Sequence, residues 1–417
     1  MRHRLVFLAL SLGWISCSST DSRDTDAGSD TATLTTSAAS DASSDSTAGT
    51  LGSSGDSSGD ATSGDTASTS SEPTTGDSDP TTGDSEPTTS DSDATTDDTD
   101  TATDTDDPFE PVPGALCDPV PSCEAALPGD LDIKEALNHR GRDMFYVEGE
   151  DQWVLAKFAE FGILDFDLHE EEVSIYLLRG CVGDWEFLGT AYTSNDGDNP
   201  TVEGVEDTGG RIYFKIPQDK ALAPGRHRVH MIVESENSRA DQYIDVVPAG
   251  APIFVSDIDG TLTTAEFEEF ADLLIGDIPD ANPFAAEALT LLAGKGYRPM
   301  YVTARPEFLY KRSREFVRLR GFPNGIIHTT LSKDGALGGE AITYKTEELA
   351  RLANKGLVPT FVFGNTDSDA QAYENGQIEP LDHRVFFQYT DAFGGRRIES
   401  YQELLAEFAA LPDLCEP

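Results

Sequence analysis

Basic residues are scarce in this 417-residue sequence, in which 29 Lys plus Arg stand against 76 Asp plus Glu and the formal net charge is −47. Binding to DNA or RNA needs a basic surface that neutralises phosphates, so we expect no nucleic-acid partner. The sequence also lacks glycine at every third position and sustained heptads, which excludes collagen-like and coiled-coil proteins. Its length allows two or three domains.

Long apolar runs are scarce as well, and the prominent one covers residues 5–15, after a basic start. A basic beginning, an apolar run of about eleven residues and a small residue before a cleavage point describe a secretory signal peptide. The run is too short for a stable membrane span. Because Ser16 precedes Cys17, the pattern resembles a bacterial lipoprotein site. We predict a signal peptide over residues 1–17, a lipid on Cys17 and an exported protein anchored to a membrane, periplasmic or at the cell surface. Ordinary cleavage and secretion are the alternative.

Cysteine is rare, with five residues in all. An odd number in an exported protein needs an explanation, and a lipid on Cys17 would leave four. Four cysteines can form two disulfides in an oxidising compartment, and the sequence leaves every pairing open. These four are Cys117, Cys123, Cys181 and Cys415.

One long region has almost no apolar residues. Residues 18–107 contain 22 acidic residues but a single basic one, Arg23, and a seven-residue repeat with the sequence Glu-Pro-Thr-Thr-Gly-Asp-Ser begins at residue 72. Such a chain cannot bury enough apolar surface to offset its conformational entropy. We therefore predict a disordered, acidic linker over residues 18–110, which self-repulsion keeps extended.

Residues 115–249 and 250–417 have ordinary globular composition but different patterns. In the first region, about seven short segments rich in Val, Ile, Tyr and Phe are separated by turn residues, which is typical of an immunoglobulin-like β-sandwich. In the second, short apolar strands alternate with longer helical segments, which predicts an α/β domain with a parallel sheet. In such sheets the ligand site lies beyond the carboxyl ends of the strands.

Two carboxylates follow the first strand of this α/β domain, in the sequence Ser256-Asp-Ile-Asp-Gly-Thr-Leu-Thr263. A carboxylate at a strand end, Asp257, can act as a nucleophile and form an acyl-phosphate. A second carboxylate on the same loop, Asp259, can serve as general acid and base. The backbone N–H groups of the turn at Gly260 and Thr261 can hold phosphate oxygens.

Further polar residues follow the later strands. The hydroxyl of Thr303, at the end of the next strand, can donate to a phosphate oxygen. Lys345 is a point charge suited to a phosphate and a carboxylate at once, and Lys333 is a rival for this role. Asn365 and Asp369 offer the hard oxygen ligands that Mg²⁺ prefers.

In this order the motifs resemble the haloacid dehalogenase (HAD) superfamily of phosphotransferases. More narrowly, they resemble the catalytic domain of lipins and the related C-terminal domain of the Nir/RdgB phosphatidylinositol transfer proteins. Lipins also place an immunoglobulin-like domain against the phosphatase domain, as the segment before residue 250 suggests here. The segments that carry the resemblance, over residues 250–410, are Asp257-Ile-Asp-Gly-Thr-Leu-Thr, Tyr301-Val-Thr-Ala-Arg-Pro, Gly321-Phe-Pro-Asn-Gly, Tyr344-Lys and Phe363-Gly-Asn-Thr-Asp-Ser-Asp-Ala-Gln-Ala-Tyr373.

The resemblance implies a Mg²⁺-dependent mechanism in which Asp257 is nucleophile and metal ligand, and Asp259 is acid/base and further ligand. The remaining implied roles are phosphate binding by Thr303 and Lys345, and metal binding by Asn365 and Asp369. Nir/RdgB domains lack parts of the acid pair and bind phosphatidate without hydrolysing it. Because this sequence keeps both carboxylates, we expect an active phosphatase.

Two features bear on the substrate. Residues 264–282 can form only a small cap, whose apolar residues Phe267, Phe270, Leu273 and Leu274 either face a lipid or are buried. The helix after Thr303 carries five cations, which can attract an anionic head group or form a solvated helix face. These cations are Lys311, Arg312, Arg314, Arg318 and Arg320.

A lipid anchor, a spacer and an open site together favour a phospholipid substrate, with phosphatidate first. Three alternatives remain. One is a non-catalytic lipid module that senses phosphatidate or resembles a phosphatidylinositol transfer protein. The second is a phosphatase of soluble phosphomonoesters. The third is a surface adhesin in which the sandwich carries the function.

Overall fold

The computed structural model describes residues 118–125, 134–135, 138–160, 166–264, 277–390 and 392–415. The predicted signal peptide, the lipidation site Cys17, the acidic linker and the apolar residues of the predicted cap lie outside these residues. Within the described chain, no helix is both long and apolar enough to cross a bilayer.

A β-sandwich forms the first folded region. One sheet has the strand order β1-β9-β8-β5-β6, with β3 also paired to β9, and a second sheet has the order β2-β4-β7. Apolar residues that alternate along the strands fill the space between the sheets, among them Val154, Ile175, Val229 and Ile244. The strands are β1 (Lys134–Glu135), β2 (Arg140–Gly141), β3 (Met144–Val147), β4 (Trp153–Lys157), β5 (Glu172–Leu178), β6 (Glu186–Tyr192), β7 (Arg211–Lys215), β8 (Gly225–Val233) and β9 (Ser238–Val247). The predicted sandwich is therefore present, with two short strands, β1 and β2, that the pattern did not indicate.

A six-stranded parallel sheet forms the second region, in the order β12-β11-β10-β13-β14-β15. Every neighbouring pair in it is parallel. The chain winds outwards from β10 in both directions, which is the doubly wound topology with a switch point beside the first strand. The strands are β10 (Ile253–Ser256), β11 (Arg298–Val302), β12 (Ile326–His328), β13 (Phe361–Gly364), β14 (Arg384–Phe387) and β15 (Arg396–Ile398).

Helices cover both faces of this sheet, as the alternating pattern predicted. One apolar cluster joins the sheet to the first, second and last helices, and another joins it to the third and fourth. The helices are α1 (Ala285–Gly294), α2 (Tyr310–Leu319), α3 (Gly339–Asn354), α4 (Asp367–Asn375) and α5 (Gln402–Ala410). Helix α3 begins at Gly339, two turns before the lysine predicted to bind phosphate. Lys345 therefore lies inside the helix.

One disulfide joins Cys123 to Cys181. It is one of the pairings that the sequence left open. It ties residues 118–125 to the end of strand β5. Cys415 is also disulfide-bonded, and Cys17 and Cys117 lie outside the described residues.

Buried ion pairs join the sandwich to the α/β domain, and these two belong to one compact unit. Glu307 receives Arg140 at 2.9 Å and both terminal nitrogens of Arg211 at 2.9 and 3.0 Å. Arg142 donates to Glu348 at 2.6 Å and to the backbone oxygen of Thr329 at 2.7 Å. All five charged side chains that form these pairs are at least nine-tenths buried. Removing one member of such a pair leaves an uncompensated buried charge, so the domain interface depends on their all being present.

We expect Glu307→Gln to destabilise the protein by about 3–5 kcal/mol, because two buried guanidinium groups would lose their counter-ion. Urea unfolding of the full chain measures this. Glu315→Gln is a matched control, since Glu315 pairs with Arg312 at the surface and exposed pairs contribute at most about 1 kcal/mol. Equal unfolding midpoints for the two variants would contradict the central role of Glu307.

The pH dependence of stability should carry the same signature. Burial alone would raise the pKa of Glu307, but Arg140 and Arg211 outweigh it and lower the pKa from 4.5 to about 2. A depressed pKa contributes stability that is present above the unfolded-state value and is lost as the pH falls towards the folded-state value. Between pH 5 and pH 3 the wild type should therefore lose about 2 kcal/mol more stability than Glu307→Gln. Parallel curves for the two proteins would count against this assignment.

Candidate functional site

Three adjacent strand ends bring the predicted site residues together. Asp257 directly follows β10, Thr303 follows β11 and Asn365 follows β13, and β10 lies between β11 and β13 in the sheet. Carboxyl ends of parallel strands share one edge, so residues far apart in sequence meet there. Lys345 reaches the same place from α3 and Asp369 from α4.

The loop after β10 is held by a side chain that the sequence did not single out. Asn282 donates from Nδ2 to the backbone oxygens of Gly260, Thr261 and Thr263 at 3.2, 2.8 and 3.0 Å. Gly260 has φ +71°, a left-handed conformation that favours glycine at this turn. Its N–H donates to the Thr263 hydroxyl at 2.9 Å, so a phosphate oxygen would have to replace that bond to use this predicted donor.

Lys345 lies between two carboxylates. Its Nζ is 2.7 Å from Asp257 Oδ1 and 2.5 Å from Asp369 Oδ1, and all three side chains are buried. Lys333, the rival from the sequence, is exposed, whereas Lys345 contacts both aspartates. The lysine thus takes the position beside the expected nucleophile that the resemblance implies, while its function in phosphate binding stays a prediction.

One lysine does not neutralise two buried carboxylates, and the pKa values reflect this. Burial raises the pKa of Asp257 to about 7; Lys345 opposes the shift, and the charges of Asp369 and Asp259 add to it. Burial would lower the pKa of Lys345, but Asp257 and Asp369 outweigh it and raise that pKa. The lysine is therefore held in its charged form, and Asp257 takes up a proton more readily than an ordinary aspartate does.

Asp259 is held by an arginine to which the sequence analysis gave no role. Arg305 donates from Nε to Oδ2 at 2.9 Å and from Nη2 to Oδ1 at 2.7 Å, and the Thr303 hydroxyl adds a bond of 2.9 Å to Oδ2. Arg305 itself is buried and also donates to Ser313 at 2.9 Å. The sequence could have indicated Arg305, because it lies two residues after Thr303 in the same strand-end motif. Thr303 thus donates to a carboxylate here.

The predicted metal ligands differ in how free their oxygens are. The Thr261 hydroxyl is 3.1 Å from Asp257 Oδ2 and 2.8 Å from Asn365 Oδ1, so these two oxygens lie around one point. Asp369 Oδ1 contacts Lys345, and its Oδ2 accepts from the Thr366 hydroxyl and backbone at 2.7 and 3.1 Å. Within the described residues no group of three His, Cys, Asp or Glu side chains is arranged to hold a metal. A Mg²⁺ site at Asp257, Asp259, Asn365 and Asp369 stays a prediction.

A cavity of about 340 Å³ opens beside these residues. Its polar wall includes Asp257, Asp259, Arg305 and Lys345. Apolar lining residues come from the segment after β11 and from the loop before α3 and its first turn, where Leu337 is 75% exposed. The apolar lining residues are Ala304, Ala336, Leu337 and Ala341. The cavity can therefore accept a group that is charged at one end and apolar at the other.

The basic helix is largely neutralised by partners. Arg312 pairs with Glu315 at 2.6 Å, Arg314 pairs with Asp143, and Arg320 pairs with Asp280 at 3.0 Å. Arg318 is exposed and has no ion pair among the described residues. The helix is therefore not a uniform cationic face towards a membrane.

The described chain thus consists of a β-sandwich followed by an α/β domain with a parallel sheet. Residues 137–246 match the family model described as the β-sandwich domain of PITM 1-3, and residues 254–387 match the model described as the LNS2 domain of PITM 1-3. LNS2 domains are HAD-like. Among solved structures, a putative β-phosphoglucomutase from Thermotoga maritima is similar over 37% of this chain and 97% of that chain, at 14% identity and a TM-score of 0.26.

Curated relatives carry corresponding names. The chain is 30% identical over 243 residues to protein retinal degeneration B of Drosophila melanogaster, covering 58% of this chain and 17% of that protein. It is 28% identical over 192 residues to human membrane-associated phosphatidylinositol transfer protein 1, covering 46% of this chain and 14% of that protein. The chain therefore matches less than a fifth of the length of these relatives.

These matches correct two predictions. The relatives are phosphatidylinositol transfer proteins of flies and mammals. The prediction of a lipin/Nir-type phosphatase domain in a bacterial-type lipoprotein is therefore wrong in its bacterial assignment, and the matching family models are the β-sandwich and LNS2 domains of PITM 1-3. The predicted localisation, an exported protein anchored through a lipid on Cys17, is wrong for the same reason, since the matching proteins are eukaryotic and the mammalian ones are named as membrane-associated. Of the functions considered, the similarity supports the alternative of a non-catalytic, phosphatidylinositol-transfer-protein-like lipid module over the phosphatase.

We expect Lys345→Met to destabilise the protein by about 3–5 kcal/mol, because Asp257 and Asp369 would be left as like charges in a buried site. Lys333→Met is the matched control, being the same substitution at an exposed lysine of the same domain, and should leave the unfolding midpoint almost unchanged. Thermal and urea unfolding measure both. A variant at Lys345 as stable as the control would show that the buried cluster is not stabilised by the lysine charge.

Proposed function

We propose that the α/β domain is a Mg²⁺-dependent lipid-recognition module, which binds the phosphate of phosphatidate or a related phospholipid and does not hydrolyse it. The observation that carries this proposal is the ion pair between Asp259 and Arg305. The similarity to phosphatidylinositol transfer proteins supports it.

Hydrolysis through an aspartyl-phosphate needs a general acid at Asp259, which must carry a proton and give it to the leaving group. A guanidinium has only donors to offer, and Arg305 donates to both oxygens of Asp259. Protonation of this carboxylate would sacrifice a two-point ion pair with a buried arginine. The ion pair therefore favours a role for Asp259 in positioning Arg305 over a role as the general acid.

A divalent cation suits the charges of the site. Asp257, Asp259 and Asp369 carry three negative charges against the two positive charges of Arg305 and Lys345, and a phosphate adds further negative charge. Asp257 Oδ2 and Asn365 Oδ1 both lie within hydrogen-bond distance of one hydroxyl, which fits them to hold Mg²⁺ together with the predicted Asp259. When bound, the ion would bridge protein oxygens to the phosphate and offset their repulsion.

The apolar wall of the cavity supports a lipid as the bearer of the phosphate. Four apolar side chains line the same cavity of about 340 Å³ as the charged cluster, and one of them, Leu337, is exposed. A soluble phosphomonoester would use only the charged end.

Phosphate hydrolysis is the second candidate, and a specific observation favours it. Asp257 is buried next to Lys345, the arrangement of a carboxylate nucleophile beside a cation that can also hold the phosphate. In this alternative Asp259 leaves Arg305 during the reaction and serves as acid/base, on phosphatidate or on a soluble phosphomonoester.

Binding and turnover are separated by incubating the full chain with vesicles of phosphatidylcholine that contain phosphatidate, in Mg²⁺ and in EDTA. We expect co-sedimentation that EDTA reduces about tenfold, the equivalent of about 1.4 kcal/mol, with no release of inorganic phosphate. Asp257→Asn should lose the Mg²⁺-dependent part of the binding.

Asp382→Asn is the control, because Asp382 precedes β14 and lies at the opposite edge of the sheet, where it is exposed. Mg²⁺-dependent phosphate release that disappears in Asp257→Asn would overturn the proposal in favour of the phosphatase. Release from glycerol 3-phosphate but not from phosphatidate would identify a soluble substrate.

A further inference from the structure

A second cavity, of about 370 Å³, lies between the sandwich and helix α2 and is rich in arginine. We call it the arginine cavity and define it by Arg228 on β8, Arg239 on β9, and Arg314 and Arg318 on α2. Its wall also includes Tyr243 and Asn324, with Glu124 as the only acidic lining residue among those described. None of these residues lines the cavity at Asp257. In a chain of net charge −47, four arginines around one cavity are a local reversal of charge.

Two of these arginines are held by hydrogen bonds and each has one terminal nitrogen that donates to no described residue. Arg228 donates from Nε to Asp241 at 2.9 Å and from Nη1 to the backbone oxygen of Cys123 at 3.2 Å. Arg314 donates from Nε to Tyr310 at 3.0 Å and from Nη2 to Asp143. Among the described residues, no hydrogen bond uses Nη2 of Arg228 or Nη1 of Arg314, so a ligand can take these donors.

The cavity wall fixes the orientation of the guanidinium groups. The Arg314 guanidinium lies 4.1 Å from the centre of the Tyr243 ring, and that of Arg228 lies 5.9 Å from it. The Cys123–Cys181 disulfide and a bond of 3.1 Å from Asn324 to the backbone oxygen of Val120 hold residues 118–125 beside them. Groups that are already ordered lose little entropy on binding a ligand.

We propose that the arginine cavity is a second anion site, which binds a phosphomonoester group without a metal ion. A guanidinium group can donate two parallel N–H bonds to phosphate oxygens, and a phosphate dianion can accept from several guanidinium groups at once. The phosphate can belong to a lipid head group or to a soluble molecule. No metal ion is required, because guanidinium groups supply the donors: Arg228 and Arg314 keep one unused terminal nitrogen each beside their aspartate partners, and Arg318 has no ion pair among the described residues.

The test uses the full chain in EDTA, so that any Mg²⁺-dependent binding at Asp257 is switched off. Calorimetric titration with glycerol 3-phosphate and co-sedimentation with phosphatidate vesicles measure the remaining binding. Arg318→Gln should weaken it about tenfold, because one charge-assisted contact is lost. Arg318 is exposed, so this change should leave the unfolding temperature unaltered.

Arg312→Gln is the matched control, since it removes the same charge from the same helix but outside the cavity. Weaker binding of both probes in Arg318→Gln alone supports a site for the phosphate itself, and an effect on vesicles alone supports a lipid head group as its source. Undetectable binding in EDTA, or equal loss in both arginine variants, overturns the proposal. Because the assay contains no metal, its failure is distinguishable from failure of the Mg²⁺-dependent function, which Asp257→Asn reports.

Discussion

The buried ion pairs between the sandwich and the α/β domain are the constraint on which the rest of the structure depends. Burying a charge is costly unless its partner is present. Glu307 is paired with Arg140 and Arg211 of the sandwich, and Arg142 of the sandwich adds to the contacts that Glu348 makes within its own domain. Both glutamates lie in segments that carry the candidate site: Glu307 follows the Arg305 segment, and Glu348 is one turn from Lys345 on α3. The sandwich therefore holds the site in place instead of standing beside it as a separate module.

Within the site, charge is balanced in pairs that limit what each group can do. Lys345 is shared by Asp257 and Asp369, so the pKa of Asp257 stays raised in spite of a cation at 2.7 Å. Asp259 is committed to Arg305 and Thr303. The site has the residue types of a phosphotransferase, but its carboxylate Asp259 forms an ion pair with Arg305. This agrees with the proposed phosphate-recognition module and with relatives named as phosphatidylinositol transfer proteins.

The pairing of charges at the domain interface also accounts for the arginine cavity. The chain is strongly acidic, and its arginines are concentrated where the two domains meet, at Arg226, Arg228 and Arg314 around the ring of Tyr243. Where these arginines have carboxylate partners they stabilise the interface, and where donors remain they create a surface that attracts anions.

The sequence by itself determined the two folded classes and most of the site. Strand periodicity and turn residues predicted the sandwich, the alternation of strands and helices predicted the parallel sheet, and strand-end polar residues identified Asp257, Thr303, Asn365 and Asp369, because local pattern reports which residues lie at strand ends. It did not reveal the partners of those residues. Three contacts join residues 19 to 167 positions apart: Arg305 with Asp259, Asn282 with the loop after β10, and Glu307 with arginines of the sandwich. Only tertiary packing, within the α/β domain and between the two domains, decides such contacts. Asp259, which the sequence predicted as a general acid, is in the folded protein the ion-pair partner of the buried Arg305.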